Sequence, residues 1–172
     1  MTRERSAADS SAEIVIRPAR TGDRDVIGRL GALLVRVHHD FDPRRFIAAT
    51  ANTAAGYGSF LVSQLDRSDV VVLVADAGGD VVGYTYAGVE GRDWMSLRGP
   101  AGVLYDIVVD PAHRRAGVGR MLLDATVGAL LARGVPQVVL STADRNEVAQ
   151  RFFAAAGFRR TMVEMTRDAD DA

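Results

Sequence analysis

YDIVVDPAHRRAGVGR, residues 105–120, decides how this chain folds, because a strand, a loop and a helix meet within it. An apolar, β-branched run gives way to a basic loop, and Gly117-Val118-Gly119 then opens an amphipathic helix. Glycines at such a junction let the backbone approach a ligand, and the first N–H groups of a helix have no partner within it. Together with the helix dipole and the side chains of Arg114, Arg115 and Arg120, these groups favour an anion, with phosphate the best fit.

The helix that follows carries an apolar stripe at helical spacing, formed by Leu123, Val127, Leu130 and Leu131. Gly134 suits the position after a helix, and Pro136 prevents its continuation. A helix anchored along its length keeps the anion site at its first turn fixed, as preorganised phosphate binding requires.

The loop matches neither of two common nucleotide-binding patterns. No Gly-Lys-Ser/Thr follows it, as a P-loop requires, and Leu122 stands where the third glycine of a dinucleotide fingerprint belongs. Arg114-x-x-Gly117-x-Gly119 instead resembles the Gln/Arg-x-x-Gly-x-Gly/Ala signature of the GCN5-related N-acetyltransferase (GNAT) family, in which the loop cradles the pyrophosphate of coenzyme A. A G-x-G turn by itself is more often only a tight connection.

A second motif supports the resemblance. Residues 146–158 read Asn-x-x-Ala-x-x-Phe-Phe-x-x-x-Gly-Phe, similar to the family's Asn-x-x-Ala-x-x-aromatic-Tyr-x-x-x-Gly-Phe pattern. The predicted element order, β-α-α-β-β-β-α-β-α-β, also matches the family from about residue 13 to residue 166. The resemblance implies an α/β fold with a mixed, mostly antiparallel central sheet and helices on both faces. It also implies that the sheet is splayed between the cofactor-binding strand and its neighbour.

The other elements are predicted from periodicity and turn residues. Before the central stretch we expect a strand at 13–17, a helix from Thr21-Gly22-Asp23 to Phe41-Asp42-Pro43, a helical stretch at 44–65 interrupted around Gly56-Tyr57-Gly58, and a hairpin of strands 70–75 and 81–89. A loop carrying Trp94 leads to the strand 103–109. After the central helix we expect a strand at 138–142, a helix from Arg145 to Ala156 capped by Asp144 and Glu147, and a strand at 158–166.

We expect one N-acetyltransferase domain, residues 13–167, between a disordered leader at 1–12 and an acidic, frayed tail at 168–172. The chain is 48% hydrophobic and 25% charged with a net charge of -1, so it lacks the basic field that recruits nucleic acid. It has no cysteine, which excludes disulfides, thiolate metal sites and a cysteine nucleophile. Without an apolar run of membrane-spanning length or a signal-peptide core, a cytoplasmic location is expected.

By the resemblance, the central stretch binds acetyl-coenzyme A through its backbone. Ile107, Val108 and Val109 pair with the pantetheine arm as an added strand would, and one of their N–H groups polarises the acetyl carbonyl. The pyrophosphate is bound by the N–H groups of the loop and helix start, namely Arg115, Ala116, Gly117, Val118, Gly119 and Arg120. The side chains of Arg114 and Arg115 either contact the phosphates or form a solvated basic turn. Asn146 either hydrogen-bonds the cofactor near its thioester or serves the first turn of its helix.

The reaction implied is attack of a neutral primary amine on the thioester. It needs a base to deprotonate the ammonium and an acid to protonate the sulfur. The family often has Tyr as the acid where this chain has Phe153, so Phe153 is left as a cofactor-binding residue. The ribosomal-protein N-terminal acetyltransferases have a Glu base where this chain has Ser141. Neither residue offers a proton-transfer group of suitable pKa.

Two residues on the central strand, Asp106 and Tyr105, are the candidate catalytic residues. Asp106 stands where spermidine/spermine acetyltransferases also carry Asp, and a carboxylate on a half-buried strand is hard to explain as packing. Its alternative is an ion pair with Arg17 or Arg159. Tyr105 either hydrogen-bonds in the acceptor pocket or is a core aromatic residue.

The cluster His38-His39-Asp40 with Asp42 suggests a metal site, but adjacent helical residues point about 100° apart and do not converge as i, i+4 ligands do. No metal is therefore predicted. His38 or His39 either lines the substrate mouth or belongs to a hydrated helix end.

The resemblance thus implies an acetyl-coenzyme A-dependent N-acetyltransferase that acts on a primary amine of a small molecule, peptide or protein. The alternative is an acyl-coenzyme A-binding sensory or structural module of the same fold, because Phe153 and Ser141 carry no proton chemistry. Neither nucleic acid nor a membrane is an expected partner. Homodimers are common in the family that the chain resembles.

Overall fold

The computed structural model describes residues 13–169, which form a five-stranded sheet with helices on both faces. In sheet order the strands are β1 (Ile14–Pro18), β2 (Val70–Ala77), β3 (Asp80–Glu90), β4 (Ala101–Val109) and β5 (Val138–Leu140). The first four are antiparallel, whereas β4 and β5 are parallel. The expected α/β fold with a mixed, mostly antiparallel sheet is confirmed. The expected leader, and residues 170–172 of the expected tail, lie outside the described range.

The α-helices found within these residues are α1 (Arg24–Phe41), α2 (Thr53–Ser63), α3 (Val118–Leu131) and α4 (Glu147–Ala155). Short 3-10 turns at Thr21–Asp23 and Pro111–His113 precede α1 and follow β4. On one face of the sheet, α1 and α2 bury Ile27, Leu30 and Leu61 against Val74, Tyr84 and Val108. On the other face, α3 and α4 bury Leu123, Leu130 and Phe153 against Leu104 and Ala87. The apolar, alternating strands therefore contribute to a core on each side.

The second helix is continuous, so the interruption expected around Gly56-Tyr57-Gly58 is wrong. A β-carbon on Gly58 would lie 2.4 Å from the carbonyl oxygen of Arg24 in α1. The glycine therefore lets the two helix backbones touch, and close packing outweighs its low helix propensity. The ring of Tyr57 lies against Gly31 of α1, where a β-carbon would clash with it at 2.2 Å.

The helix α3 buries a slightly different stripe from the one expected. Leu131 is 49% exposed, whereas Thr126 is fully buried. The hydroxyl of Thr126 lies 2.7 Å from that of Thr85 on β3, so the polar atom is satisfied inside the core. A hydroxyl can occupy a core position when a partner across the interface completes its hydrogen bond, which periodicity alone does not reveal.

The start of α4 also differs from the expectation. Asn146 caps this helix by accepting a hydrogen bond from the N–H of Ala149 at 3.1 Å, and the helix begins at Glu147 instead of Arg145. The expected cap at Asp144 is wrong. Asparagine and aspartate are equally good at this position, so the choice between them depends on where the backbone leaves β5.

Residues 158–168 form no strand, so the strand expected at 158–166 is wrong. β5 has only three residues and stops short of the expected 138–142, so it offers few groups for a further ladder. Two ion pairs instead hold this segment against the connection between α1 and α2. Arg45 pairs with Glu164, and Arg44 pairs with Asp168 at 2.8 Å.

Candidate active site

The candidate active site is a cleft that opens where β4 and β5 part. The two strands pair only over residues 102–104 and 138–140, while β4 continues to Val109. From residue 105 to residue 109, β4 therefore has no strand neighbour on its β5 side among the described residues. This agrees with the splay that the resemblance implied, and it leaves main-chain groups free to pair with an extended ligand.

A bulge in β4 sets the direction of its two candidate catalytic side chains. Tyr86 of β3 lies opposite Asp106, but the next residue, Ala87, lies opposite Leu104, so Tyr105 is an extra residue in β4. The ring of Tyr105 packs on that of Tyr86 with centroids 4.8 Å apart. Asp106 extends toward α2, so both side chains are on the face that α1 and α2 cover.

Asp106 is buried, with 8% of its surface exposed, and two tyrosines fix its carboxylate. The hydroxyls of Tyr57 and Tyr84 donate to the same oxygen, Oδ2, at 2.6 and 3.0 Å. Oδ1 receives no hydrogen bond from residues 13–169. Every fully buried polar side-chain atom in that range has a hydrogen-bond partner, so Oδ1 is not fully buried. Oδ1 is therefore the oxygen that meets the cleft, which Asp106 lines.

The ion pair that was the alternative for Asp106 does not form. Arg17 instead bridges Asp23 and Asp76, with each N–O distance 2.8 Å. Arg159 belongs to the extended segment after α4 and makes no ion pair within the described part of the chain. The partners of the Asp106 carboxylate are therefore two tyrosine hydroxyls and not the arginine considered from the sequence.

The environment of Asp106 changes the acidity of the whole cluster. Burial raises the pKa of Asp106, and the hydrogen bonds from Tyr57 and Tyr84 oppose that rise. Burial, reinforced by the nearby carboxylate, raises the pKa of both tyrosine hydroxyls well above the usual value. Both tyrosines therefore stay protonated and act as donors, while Asp106 is the group with a pKa moved toward the range of a useful base.

The cleft has a volume of about 280 Å³ and three sides. β4 forms its floor, α1 and the following connection form one wall, and β5 and α4 form the other. The residues that matter to its chemistry are Tyr105, Asp106 and Ile107 on the floor, Leu34, Val35, His38, Phe46 and Ile47 on the α1 wall, and Ser141, Asn146 and Phe153 on the α4 wall. Asp106 is the only carboxylate among the described residues that line the cleft.

The loop after β4 leads to a helix start with free N–H groups. Asp110 accepts a hydrogen bond from the N–H of Ala112 at 2.9 Å and so closes the turn Pro111–His113. Arg115 and Gly117 both have left-handed backbones, with φ of 67° and 80°. Gly117 adopts this conformation without strain, and α3 begins at the next residue. The first-turn N–H groups of α3 and its dipole suit an anion, and an anion site at this helix start stays a prediction.

The three arginines of this loop and of the first turn of α3 have different surroundings. The Nε of Arg114 donates to the carbonyl oxygen of Val109 at 3.1 Å, so this side chain closes the loop. The Nε of Arg120 pairs with Asp124 at 2.7 Å, one turn along α3. Arg115 makes no hydrogen bond or ion pair within residues 13–169, which leaves its guanidinium available for a ligand.

Asn146 and Phe153 border the cleft from the α4 side. The side-chain oxygen of Asn146 caps α4, so the helix-start role considered for it is present, while its amide NH₂ makes no hydrogen bond within the described residues. Phe153 is 7% exposed and packs against Phe152 and Phe158 at centroid distances of 5.2 and 5.9 Å. Phe153 is thus a packing residue with one edge on the cleft.

Tyr105 is neither a core aromatic residue nor free to donate in the cleft. It is 40% exposed, and its hydroxyl donates to Glu90 Oε1 at 2.6 Å. Burial, followed by the hydrogen bond to Glu90, raises the pKa of Tyr105 above its usual value. Its hydroxyl is therefore held along β3, and only the rest of the side chain contributes to the floor of the cleft.

The two histidines at the end of α1 diverge. The Nδ1 of His38 lies 2.9 Å from the carbonyl oxygen of Leu34, and its ring lines the cleft. The Nδ1 of His39 lies 3.0 Å from the carbonyl oxygen of Phe46. Across the described range, no group of three His, Asp or Glu side chains is arranged to hold a metal ion.

No helix in the described range has the length and apolar character needed to cross a membrane.

Tyr57, Tyr84 and Phe46 belong to the site although they were not expected there from the sequence. Tyr57 is 49 positions from Asp106, and its one signal was its place between two glycines. Tyr84 had a clearer signal, because a tyrosine inside an apolar strand needs a hydrogen-bond partner once buried. Phe46 lies in a connection with no periodic pattern, so nothing in the sequence indicated its position.

Comparison with known proteins adds an independent line of evidence. The model of the Acetyltransferase (GNAT) family matches residues 60–158, which run from α2 to the end of the second sequence motif. The mycothiol acetyltransferase of Thermobispora bispora is 35% identical over 96 residues, which cover 54% of this chain and 31% of that protein. The match thus spans about a third of the length of this curated relative.

Solved structures share the fold at low sequence identity. The BH1408 protein of Bacillus halodurans, solved as a tetramutant, gives a TM-score of 0.78 at 22% identity, covering 90% of this chain and 99% of that one. The aminoglycoside N-acetyltransferase AAC(6′)-Iy in complex with CoA gives 0.69 at 19% identity, covering 94% and 99%. Since the family model covers more than half of the 172 residues and includes β4, the loop that follows it and α4, the chain belongs to the acetyltransferase (GNAT) family.

Proposed function

We propose that this chain is an N-acetyltransferase that moves an acetyl group from acetyl-coenzyme A to a primary amine. The observation that carries the proposal is Asp106, a buried carboxylate with one oxygen bonded by two tyrosines and the other open to the cleft along β4. Family membership supports the acyl donor, because GNAT acetyltransferases use acetyl-coenzyme A. The names of the relative and of the CoA-bound neighbour, which describe acetyltransferases, support the reaction class.

Backbone and side-chain groups of this chain suit each part of acetyl-coenzyme A, from the pyrophosphate to the thioester. The N–H groups of residues 115–120 would bind the pyrophosphate, with the guanidinium of Arg115 available to a phosphate oxygen. The unpaired backbone of residues 107–109 would bind the pantetheine arm as an added strand. Asn146 and Phe153 would lie near the thioester, where the free amide of Asn146 can donate a hydrogen bond.

Asp106 performs two steps on the acceptor. Its Oδ1 binds the amine as an ammonium and then accepts one proton from it, which frees the lone pair for attack. The raised pKa of Asp106 narrows the gap to the pKa of the amine and so makes this proton transfer less unfavourable. A backbone N–H of residues 107–109 stabilises the thioester oxygen as negative charge develops on it.

Acetyl-coenzyme A, when bound, supplies the acetyl group and a thiolate leaving group. Phe153 cannot protonate this sulfur, so the second proton of the amine nitrogen reaches it directly or through water. A thiol of pKa about 8.5 is a tolerable leaving group near neutral pH, so a dedicated acid is helpful but dispensable. The C–N bond forms as the C–S bond breaks, the products are an amide and coenzyme A, and Asp106 returns its proton to water.

The alternative, an acyl-coenzyme A-binding module with little chemistry, draws its support from Phe153 and Ser141. This alternative does not explain why Asp106 is buried with one oxygen toward the cleft, since burying a carboxylate is costly in free energy.

The cytoplasmic location and the homodimer stay predictions.

The experiment that tests the proposal is Asp106→Asn, which keeps the size of the side chain and removes its charge. The kcat/KM for an amine acceptor should fall about a hundredfold, the usual share of a general base, while acetyl-coenzyme A affinity measured by calorimetry changes little. Asp66→Asn, at an exposed position outside the cleft, is the matched control and should change neither quantity. Full activity in Asp106→Asn would mean that the carboxylate has only a structural role.

A further inference from the structure

We infer that the acceptor is a small monoamine whose nitrogen is followed by an apolar chain or ring, and that polyamines and amino sugars are poor substrates. The inference rests on the proposed function and adds the class of acceptor. It is carried by the charges and the apolar wall that surround the open oxygen of Asp106.

The cleft provides one negative charge. Asp106 is its only carboxylate among the described residues, and its single open oxygen can hold one ammonium. Two acidic side chains close to the α1 wall are already paired, Glu164 with Arg45 and Asp168 with Arg44. A second ammonium on the acceptor would therefore enter the cleft without a partner, and an unpaired buried charge is costly.

A positive charge lies where the two walls meet. The Nη1 of Arg145 donates to the carbonyl oxygen of Phe41 at 2.8 Å and so links the connection after β5 to the end of α1. Arg145 makes no ion pair within residues 13–169, and it adjoins Asn146 of the cleft lining. Its charge further disfavours an acceptor with a second cationic group.

The α1 wall is apolar and preformed. Its lining side chains are Leu34, Val35, Phe46 and Ile47, with His38 as the one polar member. The carbonyl oxygen of Phe46 accepts a hydrogen bond from Nδ1 of His39, and the ring of Phe46 lies edge-on to that of His38 with centroids 5.0 Å apart. The Nδ1 of His38 is already bonded to its own helix. Acceptor hydroxyls would find few partners on this wall, whereas methylene or aromatic groups would bury apolar surface.

The size of the cleft limits the enclosed part of the acceptor. A volume of about 280 Å³, shared with the thioester end of the donor, accommodates the nitrogen and only a few carbons. Ile47 is 78% exposed at its rim, so larger apolar groups would continue along this side chain. The chemistry of the first few atoms after the nitrogen should therefore decide which amines are accepted.

Three matched amines test this inference, namely butylamine, aminopropanol with a terminal hydroxyl, and propanediamine. They have the same number of heavy atoms and differ only in a terminal methyl, hydroxyl or ammonium group. We expect kcat/KM to be about tenfold lower for aminopropanol than for butylamine, and about a hundredfold lower for propanediamine. Binding of each amine to the protein saturated with coenzyme A, measured by calorimetry, should follow the same order.

A variant can change the preference without touching the catalytic groups. Ile47→Glu places a carboxylate on the wall at a largely exposed position, so the fold should tolerate it. The preference for propanediamine relative to butylamine should rise about fivefold, as a partly exposed ion pair allows. Met95→Glu adds the same charge in the loop between β3 and β4, at a site 91% exposed and outside the cleft lining, and should leave the preference unchanged.

The outcomes separate this inference from the proposed function. If propanediamine or aminopropanol is bound and acetylated as well as butylamine, the acceptor class is wrong and acetyl transfer stands. If butylamine binds best but neither these three nor a broad panel of other amines is acetylated while acetyl-coenzyme A binds, the binding preference is supported and the proposed function is contradicted. If none of the amines binds, the acceptor class is overturned.

Discussion

At the scale of single residues, the site depends on which oxygen of Asp106 is occupied. Tyr57 and Tyr84 both donate to Oδ2, so they orient the carboxylate and stabilise its ionised form while Oδ1 stays open to the acceptor. Tyr57 is the more exposed of the two donors and makes the shorter hydrogen bond. It is therefore a positioning residue, which acts on the acceptor through Asp106.

Tyr57→Phe should raise the pKa of Asp106 further, because it removes a hydrogen bond that favours the ionised form. Since only the ionised carboxylate binds the ammonium and accepts its proton, the acid limb of the kcat/KM profile should move to higher pH. A lost hydrogen bond to a charged group is worth about 1.5 kcal/mol, which corresponds to about one pH unit and about a tenfold loss of activity on the acid side.

The matched control is Tyr86→Phe, because the Tyr86 hydroxyl makes no hydrogen bond within the described residues. Comparing both variants with the unmodified protein, using one acceptor, cancels the titration of the acceptor itself. An acid limb that stays in place in Tyr57→Phe would contradict the positioning role.

The sequence was enough to select Asp106 but not to name its partners. A carboxylate in an apolar strand is conspicuous because burial is costly, so the residue could be found from β4 alone. Its hydrogen-bond donors, Tyr57 of α2 and Tyr84 of β3, are 49 and 22 positions away in the sequence. Whether Tyr57 reaches Asp106 depends on how α2 packs. Arginine was the natural guess for a partner, yet Arg17 already bridges two other carboxylates.

At the scale of elements, the packing of α2 on α1 places Tyr57 within hydrogen-bond distance of Asp106. Gly58 touches the backbone of Arg24, whereas Gly56, two positions earlier in α2, faces open space. Of these two glycines of α2, only Gly58 limits how closely the helix packs on α1.

Gly58→Ala should destabilise the protein by about 1–3 kcal/mol, because its β-carbon would meet backbone atoms at 2.4 Å and force the helices apart. Gly56→Ala should stabilise it by about 0.5–1 kcal/mol, because it removes a helical glycine without a clash. Urea unfolding of both variants measures the difference. Equal stabilities would show that the helices do not pack as closely as described.

The loop after β4 and the start of α3 form the second functional unit. A β-carbon on Gly119 would lie 3.7 Å from Phe152 and Val109, an ordinary contact, so a larger residue can be attached without breaking the core. Gly119→Glu would place a negative charge at the site proposed for pyrophosphate. Acetyl-coenzyme A affinity should fall at least about tenfold, or 1.4 kcal/mol, in calorimetry.

Gly128→Glu makes the same change on an exposed face of α3, where nothing lies within 4 Å, and should leave the affinity unaltered. If Gly119→Glu binds acetyl-coenzyme A as tightly as this control, the proposed phosphate site is in the wrong place.

Elements with strong local signals could be predicted, and those that depend on distant contacts could not. The hairpin of β2 and β3, the loop after β4 and the start of α3 follow from turn glycines and periodicity. The continuous helix α2 packs its glycine on α1, and residues 158–168, which form no strand, contact the α1–α2 connection through ion pairs. Neither contact leaves a periodic pattern in the sequence.

At the scale of the whole molecule, the sheet and its splay place the functional groups in one region. β4 contributes the carboxylate and the unpaired backbone, α3 contributes the helix start proposed to bind the pyrophosphate, and α1 contributes the apolar wall. The two sequence motifs carried the family assignment, which is confirmed by the family model over residues 60–158. Of the α1 wall only His38 was considered from the sequence, since α1 and its connection carry no motif that indicates Leu34, Val35, Phe46 or Ile47.

The most direct measurement of the central claim follows both products of one reaction. The protein is mixed with acetyl-coenzyme A and butylamine, free thiol is measured over time, and the amine is examined by mass spectrometry. The account predicts that butylamine accelerates thiol release and that one acetyl group appears on the amine for each coenzyme A released. Thiol release that stays at its amine-free rate with butylamine and with a broad panel of other amines, despite tight binding of acetyl-coenzyme A, would contradict it.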